Sequence, residues 1–215
     1  SLVTRVIAKC VNSSISKRAR EMFIPLGQLG IAVPHGIELA VMALQVAIQR
    51  KVMMGKKVAV LQIDLENAFN RTSRKRILEM IHEYFPELMD WTDWLYSKPT
   101  KLHFQLFNNK VKKIISQRGV RQGDPLGSFY HALNMHITLE ALQTLPGLRE
   151  ARERDDVVQV AYHDDCNMML CGDSAEEVVR LVEAVWTALP GILRQTDGRL
   201  SKKKSKILTL SEDVY

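Results

Sequence analysis

The stretch Val157 to Leu170, VVQVAYHDDCNMML, decides the fold. Two apolar, β-prone arms, Val157 to Tyr162 and Cys166 to Leu170, flank His163-Asp164-Asp165, and this pattern predicts a hairpin with acids at its tip. Upstream, Val58 to Leu65 is another short apolar run, read as a buried strand that ends near Asp64. If strand and hairpin are neighbours in one sheet, Asp64, Asp164 and Asp165 converge. Adjacent buried carboxylates are costly unless a cation neutralises them. An all-oxygen site suits Mg²⁺ or Mn²⁺ rather than Zn²⁺. Two such ions about 4 Å apart are the machinery of phosphoryl transfer. The same residues also fit a plainer arrangement, with Asp64 capping the next segment and the acid pair in a solvated turn.

Around this centre the spacing predicts helices. Residues 37–52 carry apolar residues at helical intervals, with Gly55 as a stop. Ser73 reads as the N-cap of a helix through Tyr84, closed by Phe85-Pro86. Leu88 to Tyr96 reads as a short aromatic helix in which Trp91 and Trp94 are core residues. Leu102 to Leu106 and Val111 to Ser116 flank Asn108-Asn109, which predicts a hairpin. Asp124-Pro125 reads as an N-cap followed by proline at the first helical position, with Phe129, Leu133, Ile137 and Ala141 on one stripe. Ser174 to Glu177 has capping-box spacing and opens a helix that Pro190-Gly191 should end. Ile207 to Leu210 is a last strand. Helices segregated from an antiparallel sheet make the class α+β.

The 215 residues carry 46% hydrophobic and 25% charged residues, values that argue against a disordered chain. Only Cys10, Cys166 and Cys171 are present, which argues against a disulfide scaffold. No apolar run approaches the roughly 20 residues of a membrane span. The net charge of +6 is unevenly spread. No acid lies between Asp93 and Asp124, an interval that holds Lys98, Lys101, Lys110, Lys112, Lys113, Arg118 and Arg121. Residues 198–211 and the first twenty residues are likewise basic and acid-free. Such zones suit a polyphosphate partner, and equally suit solvated faces. His163, Cys166 and Cys171 lack zinc-site spacing, and no G-x-S-x-G, P-loop or G-x-G-x-x-G occurs.

Four segments, in order, carry a resemblance. Tyr162-His163-Asp164-Asp165 has the Y-x-D-D form, and Asp64 is followed five residues later by the aromatic Phe69. Arg118 to Gly127, RGVRQGDPLG, resembles the Q-G-x-P-L-G motif, and Gly198 to Ser205, GRLSKKKS, a later lysine motif. Pro25 to Gly30 and Gly36-Ile37-Glu38 resemble the stretch that precedes these motifs. Together they resemble the reverse transcriptases (RNA-directed DNA polymerases), most of all those of non-LTR retrotransposons, from about residue 2 to residue 208. His163 occupies a position where small or aliphatic residues are commoner, and Ser128 one where relatives often have proline.

The resemblance implies a polymerase palm, an antiparallel sheet with helices on one face, plus part of the fingers. Residues 1–57 would be a partial fingers or helical segment and 58–215 the palm, with a fingers-type hairpin insertion near 98–118 and no thumb. It implies that Asp64 and Asp164, with the Leu65 carbonyl, hold two Mg²⁺ (or Mn²⁺), and that Asp165 is a third carboxylate near the primer end. Lys204 matches the lysine that helps protonate the leaving pyrophosphate. Phe69 matches the steric gate against a ribose 2′-OH, and Gln122 and Gly123 line the nucleotide pocket. Lys110, Lys112, Lys113 and Arg118 would meet nucleic acid. The implied activity is transfer of a dNTP to a DNA primer 3′-OH on an RNA template, with further protein segments supplying the rest of the hand. The implied setting is intracellular, in the nucleus, with no membrane partner. The alternative is a catalytically silent module of the same fold, an RNA-binding scaffold or splicing-related partner. An RNA-templated RNA polymerase fits less well with the bulky Phe69.

Overall fold

Why a strand as apolar as Val58 to Ile63 can sit in water is answered by what covers it. In the computed structural model, which describes residues 2–107 and 110–210, this strand, β1 (Lys57–Ile63), is buried along nearly all its length. It pairs antiparallel with β5 (Asp165–Gly172) on one side and β6 (Lys206–Thr209) on the other. β4 (Val157–Tyr162) completes the sheet beyond β5, giving the order β4-β5-β1-β6. The predicted acid-tipped hairpin is therefore present, and its two-residue turn is His163-Asp164. The class is mixed, with an antiparallel sheet and helices.

Helices cover both faces of this sheet, not one as expected. Leu61, Ile63, Met168 and Leu170 face α6 (Gly127–Gln143) and α8 (Ala175–Arg194). Val58, Met169 and Cys171 point the other way, against Leu44, Ala47 and Ile48 of α2 (Gly36–Met53). The cause is in the sequence: β1 and β5 are apolar at successive positions, the mark of strands buried on two sides. A second core joins α1 (Leu2–Phe23), α4 (Arg74–Tyr84), α5 (Met89–Tyr96) and α6. α6 serves both cores. Phe129, Tyr130 and Leu133 enter one while Met135, Leu139 and Leu142 enter the other, so it is buried around its circumference rather than along one stripe. Short helices α3 (Ala68–Arg71) and α7 (Arg149–Glu153) complete the set. Among the described residues no helix is long and apolar enough to cross a membrane.

Three local expectations are corrected. α1 was read only as a basic zone. It is a 22-residue helix that buries the narrow stripe Ala8, Ile15, Ala19 and Phe23. α6 starts at Gly127, with Leu126 as N-cap. Asp124 instead folds the preceding turn, its Oδ1 accepting from the Leu126 N–H at 3.0 Å. Finally, α8 does not stop at Pro190-Gly191 but runs through them to Arg194. An internal proline costs about 3 kcal/mol, and each buried Leu189, Ile192 or Leu193 returns about 1.5–3 kcal/mol. The start of α8 is as expected: Ser174 Oγ accepts from the Glu177 N–H, and Glu177 reaches back to the Asp173 N–H.

One buried charge ties the sheet to its surroundings. Asp156 is fully buried, its carboxylate bonded by Lys51 at the end of α2 (2.8 Å), Lys56 before β1 (2.9 Å) and Arg154 after α7 (2.9 Å). Burial alone would push its carboxyl up. The bonds from Lys51, Lys56, Arg154 and Cys171 outweigh that and hold it well below its ordinary value of 3.8. Asp156→Asn leaves Lys51, 7% exposed, without its counter-charge. The expected loss is about 3–5 kcal/mol in urea denaturation. A depressed folded pKa means the stabilisation is complete above the unfolded value and declines as pH falls through the folded one. Below about pH 4 the wild type should therefore lose stability more steeply than Asp156→Asn.

Candidate functional site

The tip of the β4–β5 hairpin is held from outside the sheet. The two-residue turn requires a left-handed backbone at His163 (φ 56°), a conformation unfavourable for a residue with a Cβ. Gln28, fully buried, holds that peptide on both sides. Its Nε2 donates to the His163 carbonyl and its Oε1 accepts from the His163 N–H, both at 2.9 Å. The same Oε1 accepts from the Gly30 N–H at 3.0 Å. The backbone follows the side chain: Leu29 N–H donates to the Ala161 carbonyl and Ala161 N–H to the Gly27 carbonyl, both at 2.8 Å. This approach needs glycine. A Cβ on Gly27 would lie 2.1 Å from the Gln159 carbonyl oxygen, and one on Gly30 2.7 Å from the His163 nitrogen.

Asp64 follows the last paired residue of β1, where Ile63 faces Cys166, so it lies beside Asp165. The segment Arg199 to Ser205 wraps this end of the strand. Leu65 bridges Leu200, Ser201 N–H donates to the Asp64 carbonyl (2.9 Å), and Asp64 N–H donates to Ser205 Oγ (3.0 Å). Lys204, largely exposed, brings its Nζ to 3.8 Å from Asp64 Oδ1. That oxygen is shielded from solvent and accepts no hydrogen bond. Asp165 is pushed up by burial and then by the charges of Asp164 and Asp64, against the opposing influence of Lys204 and His163. An orphaned carboxylate oxygen next to mutually repelling acids suits a cation. Yet among the described residues no group of three or more His, Cys, Asp or Glu is arranged to hold a metal ion as the chain stands.

Phe69 lies on α3, within hydrogen-bonding reach of the RGVRQG loop. Val120 N–H donates to the Phe69 carbonyl (3.0 Å) and Gly119 N–H to that of Thr72 (2.9 Å). The Phe69 ring stacks on His131 of α6, centroids 4.3 Å apart, and stands 6.4 Å from the His163 ring. Gln122 and Gly123 are exposed and line a cavity of about 150 Å³ with Thr4, Arg5, Ala8, Leu95, Arg121, Asp124 and Pro125, a lining that contains none of the three acids.

The basic residues form a separate feature. β2 (Thr100–Gln105) and β3 (Val111–Ser116) pair as a two-stranded ribbon, exposed along most of its length. The predicted turn residues Asn108-Asn109 lie outside the described residues. Lys112, Lys113 and Lys110 are exposed on it, with Arg118 just beyond. Lys101, His103 and Lys113 share one face, since His103 faces Lys113 across the ribbon. The ribbon is rooted by Arg74, whose guanidinium donates to the Gly119 and Ser116 carbonyls and to Ser116 Oγ. Trp94, expected in the core, is 67% exposed.

Sequence reasoning missed Gln28, Ser205 and His131. Each acts on a residue far along the chain, Gln28 on His163 at a separation of 135, and no local spacing encodes that. The hints were that Gln28 lies within the Pro25 to Gly30 stretch and Ser205 at the end of the Gly198 to Ser205 stretch, both already singled out.

A search of curated proteins finds no match. Among solved structures, apo telomerase from Candida tropicalis matches with a TM-score of 0.67 at 11% identity, over 97% of this chain and 37% of that one. Telomerase from Candida albicans in complex with a TWJ fragment of telomeric RNA matches with a TM-score of 0.57 at 11% identity, over 94% and 34%. The Candida tropicalis complex with the corresponding RNA gives 0.65 at 11%, over 99% and 34%. At this identity the likeness is one of fold, and the chain spans about a third of the length of these proteins. The model of the family described as reverse transcriptase (RNA-dependent DNA polymerase) matches residues 2–214. The acid-tipped hairpin, the sheet that carries it and this match along the chain together mean that it belongs to the reverse transcriptase (RNA-dependent DNA polymerase) family.

Proposed function

We propose that this chain is an RNA-binding palm of the reverse-transcriptase type, with residues 58–215 as the palm, 1–57 as a partial fingers segment and the ribbon as a fingers-type insertion. The observation that carries RNA binding is the exposed, acid-free ribbon with Lys101, His103 and Lys113 along one face. Solved structures of the same fold hold a fragment of telomeric RNA, which supports this reading. Each phosphate neutralised by a lysine releases condensed counterions and steepens the salt dependence. Lys101→Ala with Lys113→Ala should weaken binding of a structured RNA and flatten the slope of log K against log salt by roughly 1–2. Fluorescence anisotropy at several salt concentrations measures both, and an unchanged slope removes the ribbon from the interface.

A second reading, RNA-templated transfer of a dNTP to a primer 3′-OH, is favoured by the orphaned Asp64 Oδ1 and the raised Asp165 carboxyl. In it Asp64, Asp164 and the Leu65 carbonyl would hold two Mg²⁺ or Mn²⁺ ions. When bound, these ions would activate the attacking oxygen and stabilise the leaving one. Asp165 would stand beside the primer end. Lys204, whose side chain is 72% exposed beside Asp64, would give a proton to the departing pyrophosphate. Gln122 and Gly123 would border the nucleotide, and Phe69 would lie under its sugar.

The two readings separate in one experiment. Primer extension on an RNA template should fall at least about a hundredfold in Asp164→Ala while RNA affinity stays near wild type. Equal extension by both proteins, or none by either, leaves RNA binding as the function. Mn²⁺ titration followed by water-proton relaxation gives a readout independent of turnover. Asp64→Asn should weaken Mn²⁺ binding, and identical curves would remove Asp64 as a ligand.

A further inference from the structure

His131 has no part in the chemistry described so far, yet it is buried and held at both a ring face and a ring nitrogen. It is 1% exposed, on the helix that serves both cores. Its ring lies against the Phe69 ring with centroids 4.3 Å apart and planes inclined by 26°. Its Nδ1 is 2.9 Å from Thr72 Oγ1. Thr72 Oγ1 is itself held by the Ala68 carbonyl, to which it donates at 3.1 Å. Burial, reinforced by the neighbouring His163, pushes the imidazole down to about 4, so the ring is neutral at ordinary pH. Its Nε2 makes no hydrogen bond, and the residue borders a small cavity shared with Arg71 and Asn134. The ring is thus fixed at one nitrogen and packed on one face, and that face meets Phe69.

Phe69 is less constrained by itself. Its ring is half-buried, and its other aromatic neighbour, His163, stands at 6.4 Å with planes inclined by 58°. Without the imidazole, a space the size of a ring opens behind Phe69, and rotation into that space lowers the ring's profile towards solvent.

We propose that His131 is a positioning residue that fixes the ring plane of Phe69, and that through Phe69 it sets the discrimination between deoxyribose and ribose in an incoming nucleotide. The inference rests on the nucleotidyl-transfer reading given above. Thr72 belongs to the same device, since it fixes the imidazole that fixes the phenyl ring.

The test is single-nucleotide primer extension on an RNA template, with kcat and KM measured separately for a dNTP and its matching rNTP. The full chain is used as wild type, Phe69→Ala, His131→Ala, His131→Phe and Thr72→Val, each checked for folding by thermal melting. His131→Ala should lower the dNTP/rNTP ratio of kcat/KM by about threefold to tenfold, the worth of one aromatic contact. The change should fall mainly on KM. His131→Phe should recover most of the discrimination because it keeps a ring against Phe69, and Thr72→Val should be intermediate. A folded His131→Ala protein that discriminates like wild type, while Phe69→Ala does not, overturns the role of His131 and leaves the polymerase reading intact. If His131→Ala fails to fold, unchanged discrimination in Thr72→Val overturns it instead. No incorporation by wild type with either Mg²⁺ or Mn²⁺ overturns the polymerase reading, and this role with it.

Discussion

The site depends on one side-chain amide. Gln28 binds both backbone polar groups of His163, the pivot of the turn that presents Asp164 and Asp165. A buried amide in an apolar setting is costly unless its hydrogen-bonding capacity is used, and Gln28 makes three bonds here. The interaction also explains how a histidine is accommodated in a left-handed turn position. The cost of that backbone, of order 1–3 kcal/mol, is offset by two hydrogen bonds from a rigid partner. The glycines at positions 27 and 30 follow from it, because the chain that delivers Gln28 passes too close to β4 and to the turn for any side chain.

The charge of the molecule is organised by the same logic at two scales. At the acid end of the sheet, Asp64, Asp164 and Asp165 oppose one another, and the exposed ammonium of Lys204 partly balances them. Within the molecule, Asp156 gathers Lys51, Lys56 and Arg154 and is fully neutralised by them. The second cluster is complete and holds structure together. The first leaves one shielded carboxylate oxygen of Asp64 without a hydrogen bond.

How much of this was legible in the sequence follows the range of each interaction. The hairpin of β4 and β5, the strand before Asp64 and the capped start of α8 are written in local periodicity and capping residues, and each is present. So is the adjacency of Asp64 and Asp165, because an antiparallel pair of known strands fixes it. α1 was not legible, since four buried residues in twenty-two leave almost no periodic signal. The continuation of α8 beyond Pro190 was hidden because a local rule against proline meets a tertiary gain that the rule does not contain. Helices on both faces of the sheet were encoded in the unbroken apolar runs of β1 and β5, although an acid-tipped hairpin invites a one-sided reading. Gln28 and His131 act across separations of 135 and 62 residues, where sequence pattern carries no information.

The rooting of the ribbon by Arg74 makes it a lever with a short arm inside the protein. Ser116, the last residue of β3, and Gly119, at the start of the loop, are both bonded by the same guanidinium. Gly119 and Val120 in turn hold the carbonyls of Thr72 and Phe69. The base of the ribbon is therefore linked by a chain of hydrogen bonds to the backbone of Phe69. An exposed ribbon is thus joined by hydrogen bonds to a half-buried ring packed on the helix that serves both cores.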